Sequence, residues 1–543
     1  METFDYVIVG AGTAGSVLAR RLTEQDGVTV CVLEAGAGDR HPYLHVPAGF
    51  IKVVFDPRFT WRFATEPGDA INGRRINIPQ GKVVGGSSSV NGMIFSRGQR
   101  RDFDAWADAG NRGWGYLDVL PYFRRLERRI GDRDERYRGV EGPIDVTSTD
   151  LRHPLCEAFI AGAAGAGIPR NADFNGAEQV GAGYMQRSIS RGRRRSAATT
   201  YLKPALSTHR VVLRTRVTVT RIDREGDRAV GVSYVHSRGD APIQVRATRE
   251  VIVCAGTINT PKLLQLSGIG PGPLLRRLGI PLWRDLAVGE NLRDHFSIRV
   301  VARVRNTVTL NEIARGPRLA VQIMRWCLGK PSVLGLSPAL VHWFWKSDPG
   351  LSEPDLQGIF TPASYKEGFI GLLDDFPGMT AGVNQHRPES TGYVRASTLD
   401  PFVDPLIQPN YLSHPTDQKT LVAGIKLARG LLRTPELAPW FVSETLPGAD
   451  AKTDDDILAF ARQYGTTSFH VVGTCRMGPA TDPAAVVDDQ LRVHGVNALR
   501  VVDASVMPNI TSANTYAATL MLAEKAADML LGRPAMARIE GVM

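Results

Sequence analysis

Hydrophobic and polar positions alternate into recognisable elements from the first residues onward. Tyr6 to Val9 is an apolar, mostly β-branched run that stops at Gly10-Ala11-Gly12-Thr13-Ala14-Gly15. From there to about Glu24 the apolar residues recur at helical spacing, and Val28 to Leu33 forms a second strand-like run ending on Glu34. Strand, glycine turn, helix and strand make a βαβ unit, and its turn carries the G-x-G-x-x-G spacing. Gly10 permits the tight turn, Gly12 lets a phosphate approach the backbone, and Gly15 lets helix and strand pack closely. With Thr13 and Ala14 they open a helix whose free N–H groups and positive dipole end suit a pyrophosphate. Glu34 stands 19 residues beyond Gly15, where a carboxylate can accept both ribose hydroxyls and repel a 2′-phosphate. This segment predicts dinucleotide binding and leaves FAD and NAD both open.

Three later blocks add to the pattern. Gly81 to Gly92 is a Gly- and Ser-rich path of backbone and hydroxyl donors bracketed by Val83-Val84, suited to phosphate or a polar ring edge. Glu250 to Ala255 reads as a buried strand, followed from Gly256 to Gly270 by a turn, a short helix and a glycine turn. Near the end, Ser468 to Gly478, Leu499 to Pro508 and Ser512 to Thr515 precede a helix over Thr515 to Leu531, with Gly532 and Pro534 as stop signals. Val211 to Val219 and Gly392 to Ala396 are further strand-like runs.

Composition narrows the class. A chain of 543 residues, 43% hydrophobic and 22% charged, is an ordinary globular protein of more than one domain. No apolar run approaches the ~20 residues of a membrane span, and the first strand leaves no room for a signal peptide; the cytoplasm is the expected location. Five scattered cysteines predict neither a disulfide framework nor a metal site. The net charge of +10 includes one tight cluster, Arg191 to Arg195, which reads as a solvated basic face. No nucleic-acid module accompanies it, and no nucleic-acid partner is expected.

Together the blocks Gly81–Asn91, Gly256–Gly270 and the C-terminal stretch resemble the glucose–methanol–choline (GMC) family of FAD-dependent oxidoreductases, from Asp5 to about Leu531. Within it the chain is most similar to the bacterial choline-dehydrogenase-like and sorbose- or alcohol-dehydrogenase branch. The resemblance implies an α/β fold, α+β overall. A Rossmann-like FAD-binding domain would comprise 1–150, 191–297 and 466–543. A discontinuous substrate domain on an antiparallel sheet would fill 151–190 and 298–465. It also implies that Val84 and Asn91, Gly92, Met93 and Ile94 line the isoalloxazine and pyrophosphate, and that Val217 bonds adenine through its backbone. Asp503 and Ala504 would meet the pyrophosphate and ribityl chain, and Thr515 the pyrimidine edge of the flavin. Some members bind FAD covalently through a His where this chain has Val90, so noncovalent FAD is expected.

Oxidising an alcohol needs a base for the hydroxyl proton, and FAD supplies the hydride acceptor. Of eleven histidines, His41 and His45 fall in a loop, His295 follows an Asn-Leu-Arg-Asp turn, and His494 sits in a short strand; these read as structural. His470 occupies the family's catalytic position, with Asn514 at the second active-site position 44 residues later. Many relatives have Pro after this His; Val471 here implies a less constrained backbone. A base with the ordinary imidazole pKa of ~6.5 would speed flavin reduction as pH rises through that value. Asn514 also opens the Thr515 helix, whose dipole would favour negative charge on a reduced flavin. The function expected is oxidation of a primary alcohol, polyol or sugar, with a dehydrogenase favoured over an O2-using oxidase and a quinone, another acceptor or O2 as oxidant. A hydroxynitrile lyase-type flavoprotein and a noncatalytic flavin-binding relative are the alternatives. Trp326, Trp343, Phe344, Trp345, Phe360, Tyr365, Phe369 and Phe376 could line a substrate pocket or form the core under the sheet.

Overall fold

Val7, Ile8 and Val9 are buried, as an unbroken apolar strand in a parallel sheet requires. The computed structural model describes residues 1–366 and 372–542. Strand Glu2–Val9 lies inside a seven-stranded sheet, flanked in parallel by Val30–Glu34 and Ile243–Val253. Val211–Thr215 extends the sheet in parallel beyond Val30–Glu34, and Leu499–Val501 pairs in parallel with the end of Ile243–Val253. The first half of that long strand pairs antiparallel with Arg228–Val235, which pairs in turn with Thr218–Glu225. The five parallel strands therefore end at one edge, delivering Gly10, Glu34, Val217, Ala255 and Asp503 to the same side. Ligands of open α/β sheets bind at that edge.

Glycine is obligatory twice in the first turn. Gly10 has φ +105°, and a Cβ there would lie 2.4 Å from the Cys254 carbonyl oxygen; one on Gly15 would lie 2.0 Å from the Gly10 oxygen. Helix Thr13–Leu22 packs against the C-terminal helix Thr515–Leu530, which is buried on nearly all sides. Its Glu524 is tolerated inside because Arg21, Arg125 and Tyr201 all donate to it.

A second, antiparallel sheet of seven strands runs in the order Phe441–Leu446, Phe296–Val304, Gly378–Gln385, Leu356–Thr361, Val341–Trp345, Gly181–Tyr184, with Thr466–Thr467 pairing the start of Phe296–Val304. Its own apolar cluster, with Trp343 and Phe360, lies against helices Pro154–Gly165 and Pro415–Leu432. Strand alternation turns His342 and Phe344 to the opposite face from Trp343, and Gln357 stands opposite Phe344 in register.

Several local expectations are corrected. Val211 to Val219 is two strands, broken at Arg216, which has φ +58°, and they occupy opposite edges of the seven-stranded sheet, the second in its antiparallel part. Gly392–Arg395 belongs to neither large sheet; it pairs with Glu290–Leu292 and Leu406–Gln408. His45 ends a one-turn helix, Pro42–His45, and His494 sits in a turn beside the Val493 bridge.

Candidate functional site

The first part of the site is a phosphate- and ribose-shaped edge. Gly12 caps helix Thr13–Leu22 without any side-chain bond and with no acidic residue in the first turn, so the helix start keeps donors for an anion. The Glu34 carboxylate is buried behind it, accepting from the Ala11 N–H at 2.9 Å and the Gly36 N–H at 2.7 Å. Burial pushes its pKa up to about 7, against those two bonds. A carboxylate has about four lone-pair sites, so both oxygens keep room for a ribose hydroxyl. Val217 spends its N–H on the Glu34 carbonyl at 3.0 Å, leaving its carbonyl as what it can offer an adenine. Asp503 is committed elsewhere: it accepts from Gly256 N, Thr260 Oγ1 and Ser505 N. It ties helix Gly256–Leu266 to residues 503–505, and what it and Ala504 can offer a phosphate is backbone. These features fit a dinucleotide such as FAD.

The Gly81–Gly92 block forms the next wall. Val84 and Val90 are buried, Val90 in an apolar cluster with Leu44, Val53, Phe59 and Val83. Asn91 accepts from Met93 N at 3.1 Å through Oδ1, and Met93 has φ +60°. Gly92 lies against Pro338, where a Cβ would approach Cγ to 2.7 Å. Ile94 bridges to Arg187. The Arg191–Arg195 cluster is only partly a solvated face. Arg194 is buried and donates to Leu44 O, Ser88 O, Asn91 O and Asn91 Oδ1 at 2.9, 3.2, 2.7 and 2.7 Å. Burial pushes its guanidinium pKa down to about 9. A charge run gives no hint of this; only the fold brings residue 194 beneath the loop.

His470 and Asn514 meet: Asn514 Nδ2 lies 2.9 Å from His470 Nε2. On the other side of the ring, His470 Nδ1 is 2.9 Å from His295 Nδ1, and His295 Nε2 is 2.7 Å from the carbonyl of His386. A carbonyl only accepts, so His295 carries its proton on Nε2 and accepts at Nδ1. His470 must then donate from Nδ1, which leaves Nε2 as a bare lone pair. Asn514 donates to that lone pair through Nδ2, and its Oδ1 accepts from Gln357 Nε2 at 3.1 Å. Gln357 Nε2 also donates to His342 Nε2 at 2.7 Å. From Gln357 through Asn514, His470 and His295 to the His386 carbonyl the bonds run in one direction, and Gln357 donates separately to His342.

Electrostatics agrees with neutral rings. Burial, with His295 and His342 nearby, holds the His470 pKa well below the ordinary imidazole value. Burial also pushes His295 down to about 4 and His342 to about 3. Burial thereby shifts the expected rise of activity to below the ordinary imidazole pKa.

The backbone at His470 is also held more tightly than Val471 alone suggests. Asp294 Oδ1 accepts the His470 N–H at 2.8 Å, and its Oδ2 accepts from Tyr411 and Thr467. Thr257 Oγ1 donates to Val471 O at 2.8 Å. Phe469, with φ +64°, sits between these anchors. Burial pushes the Asp294 pKa up to about 6, opposed by its four hydrogen-bond donors, Thr467, Tyr411 and the His470 and His295 amides.

Sequence reading took His295 as structural and did not single out His342, Gln357 or Asp294. They come from separate strands of the antiparallel sheet and the turn before it, and no local spacing links them. Among the aromatic candidates, Trp343, Phe344 and Phe360 are fully buried. Only Phe344 among these three neighbours the histidines, with ring centroids 4.4 Å from His342 and 5.6 Å from His386. Trp326 lies in a surface helix, and Phe369 falls outside the described residues.

Comparison with known proteins matches the chain to the two models of the GMC oxidoreductase family, over residues 4–297 and 388–523. It is 40% identical over 536 residues to the oxygen-dependent choline dehydrogenase of Rhizobium rhizogenes, covering 98% of this chain and 96% of that protein. It is 37% identical over 539 residues to an alcohol dehydrogenase [acceptor] of Pseudomonas putida, covering 99% and 97%. The crystal structure of pyridoxine 4-oxidase from Mesorbium loti superposes with a TM-score of 0.87 at 30% identity, covering 98% of this chain and 100% of that one.

Proposed function

The chain belongs to the GMC oxidoreductase family, whose members depend on FAD, and from that premise we propose that it oxidises the CH–OH group of a small neutral primary alcohol to the carbonyl. In this reading FAD is noncovalent, since the linking position is the buried Val90, and the reoxidant is an acceptor other than O2. We place its pyrophosphate at Gly10–Gly15, its ribose on Glu34 and its flavin between the Asn91–Ile94 loop and the Thr515 helix. The two-domain division at 1–150, 191–297 and 466–543 against 151–190 and 298–465 is likewise a proposal. It is supported by separate apolar clusters around the parallel and antiparallel sheets.

One observation carries the chemistry: the lone pair on His470 Nε2, set by the His295–His386 carbonyl chain and facing the Asn514 amide. FAD, when bound, supplies the hydride acceptor. His470 Nε2 takes the hydroxyl proton once the alcohol replaces the Asn514 N–H at that single lone pair. Asn514 Nδ2 has a second hydrogen for the substrate oxygen, and Gln357 keeps the amide from turning over. The relatives named for choline favour choline as a second reading. Against it, the groups joined to His470 and Asn514 are the neutral His295 and Gln357, and the nearby carboxylate of Asp294 is occupied by its own donors.

The test is anaerobic flavin reduction by a panel of aliphatic and benzylic primary alcohols, sugars and choline. His470→Ala should keep its flavin and lose about 10²–10⁴ in reduction rate, the usual contribution of a positioned base. A rate within a few-fold of wild type at saturating alcohol would assign the base elsewhere. Reduction by choline alone would install the second reading.

A further inference from the structure

Helix Gly316–Cys327 is inside out. Its sequence is amphipathic, yet none of its residues is buried. The side facing the protein carries Leu319, Gln322, Arg325 and Trp326, all half-buried: the indole N–H donates to Gly192 O at 2.8 Å, Gln322 accepts from Ser332 and Val333, and Arg325 donates to Pro331 O. Ala320, Met324, Cys327 and Leu328 are spaced i, i+4, i+7 and i+8, so they share the opposite face. That face points to solvent, with Met324 57% and Leu328 64% exposed and Val321 and Ile323 beside them. A surface helix ordinarily does the reverse.

The surroundings indicate what covers it. From Arg315 to Gly335 the chain has three arginines, one lysine and no acid; Arg315 pairs with Asp375 and Arg318 with Glu312, and Arg325 and Lys330 supply the remaining positive charge. Two neighbouring segments share this bias. Residues 187–195 hold five arginines; Arg194 is buried, Arg187 and Arg195 pair with Asp150 and Asp145, and Arg191 and Arg193 are exposed beside the helix, which the segment meets through the Trp326–Gly192 bond. Residues 40–55 hold Arg40 and Lys52 and no acid, and expose Tyr43, Ile51 and Phe55. They pack on the 333–335 turn that supports the helix. An apolar helix face within a basic surround matches an anionic bilayer surface. A second copy of a chain with net charge +10 would set two basic patches against each other.

We propose that this face docks the protein on an anionic phospholipid surface, with the Met324–Leu328 side inserted among the lipids and the flanking Arg and Lys on the headgroups. The inference does not depend on the proposed substrate or chemistry. It has a consequence for access, because the chain running on from the helix reaches Pro338, which packs on Gly92. The docked face and the flavin loop are thus joined by one short segment.

Sedimentation of the flavin-loaded protein with vesicles of phosphatidylcholine, with and without phosphatidylglycerol, tests it. Wild type should sediment with the phosphatidylglycerol vesicles at low salt, less so at high salt, and not with phosphatidylcholine alone. Met324→Glu and Leu328→Glu should reduce the bound fraction at least about tenfold, because each places a charge in the inserted face. Leu399→Glu, at an equally exposed site elsewhere, should bind as wild type does. Flavin absorbance and melting show that each variant is folded. Absence of vesicle binding by wild type, or full binding by both Glu variants, overturns the proposal. Self-association abolished by Met324→Glu without vesicle binding assigns the face to a second copy and overturns it too.

Discussion

The carbonyl of His386 can only accept, and that one property propagates through the His295 ring to decide where His470 carries its proton. His295 is therefore a positioning residue: it touches neither Asn514 nor the space beyond Nε2, but it selects the tautomer. Replacement by Gln preserves the logic, because an amide can donate to the His386 carbonyl and accept from His470 Nδ1. Replacement by Leu removes the acceptor. Losing one such bond costs about 1–1.5 kcal/mol, so His295→Leu should slow flavin reduction about 5–10-fold. His295→Gln should stay within about twofold. In wild type the rate should be flat from about pH 6 to 8, because burial keeps His470 neutral well below that range. In His295→Leu a pH dependence should appear. Stopped-flow reduction across pH measures both effects, and equal rates and profiles in the Gln and Leu variants would remove the tautomer role. At this scale the sequence revealed His470 and Asn514, because family position marks them. His295, Gln357 and His342 carry no such mark, and their meaning arises only when strands Val341–Trp345 and Leu356–Thr361 pair and the same sheet brings up the turn before Phe296–Val304.

Elements were legible where the pattern was local. The strand, glycine turn and helix from Tyr6 onward stand where the spacing put them, since each is decided by neighbours within a few residues. Boundaries that depend on single backbone conformations were not: Arg216, at positive φ, splits what reads as one strand into the two edges of a sheet. Arg194 shows the same limit for charge. It lies in the most basic stretch of the chain and yet holds Leu44, Ser88 and Asn91 together from the inside. Four hydrogen bonds to neutral acceptors, and no carboxylate partner, make it a clamp on the Gly81–Gly92 loop. Arg194→Met would leave buried carbonyls without a donor, at about 1–3 kcal/mol for each group left unsatisfied. The expected result is a lower melting temperature and flavin lost on dilution or gel filtration, while Arg193→Met, at an exposed site, retains both. Full flavin retention in Arg194→Met would show that the loop keeps its shape unaided.

At the scale of the whole molecule, five buried neutral imidazole rings link folding to pH. His153, His295, His342, His386 and His470 all have pKa values lowered by burial in the folded state. Unfolded, each returns to about 6.5. Below that value the unfolded chain binds more protons than the native one, so stability rises with pH and is lost as pH falls through the interval below 6.5. For His295, lowered to about 4, the contribution at neutral pH is about 3 kcal/mol, lost progressively between pH ~6.5 and ~4. Glu34 and Asp294 act in the opposite sense. Their folded values of about 7 and about 6 lie above the unfolded ones, so each destabilises the fold as pH rises through the same region. Five groups oppose two, and the histidines prevail. Urea unfolding near pH 5.5 in weakly buffered solution should therefore take up protons, with a net uptake of about two to three per chain, falling towards zero near pH 8. His342→Gln keeps a polar partner for Gln357 while removing one titrating ring, and should lower the uptake by about one proton. Flavin-loaded and flavin-free protein should differ chiefly through Glu34, since ribose hydroxyls bonded to its carboxylate favour the charged form. Proton release on unfolding near pH 5.5 would mean that the two acids, not the rings, control the acid limb of stability.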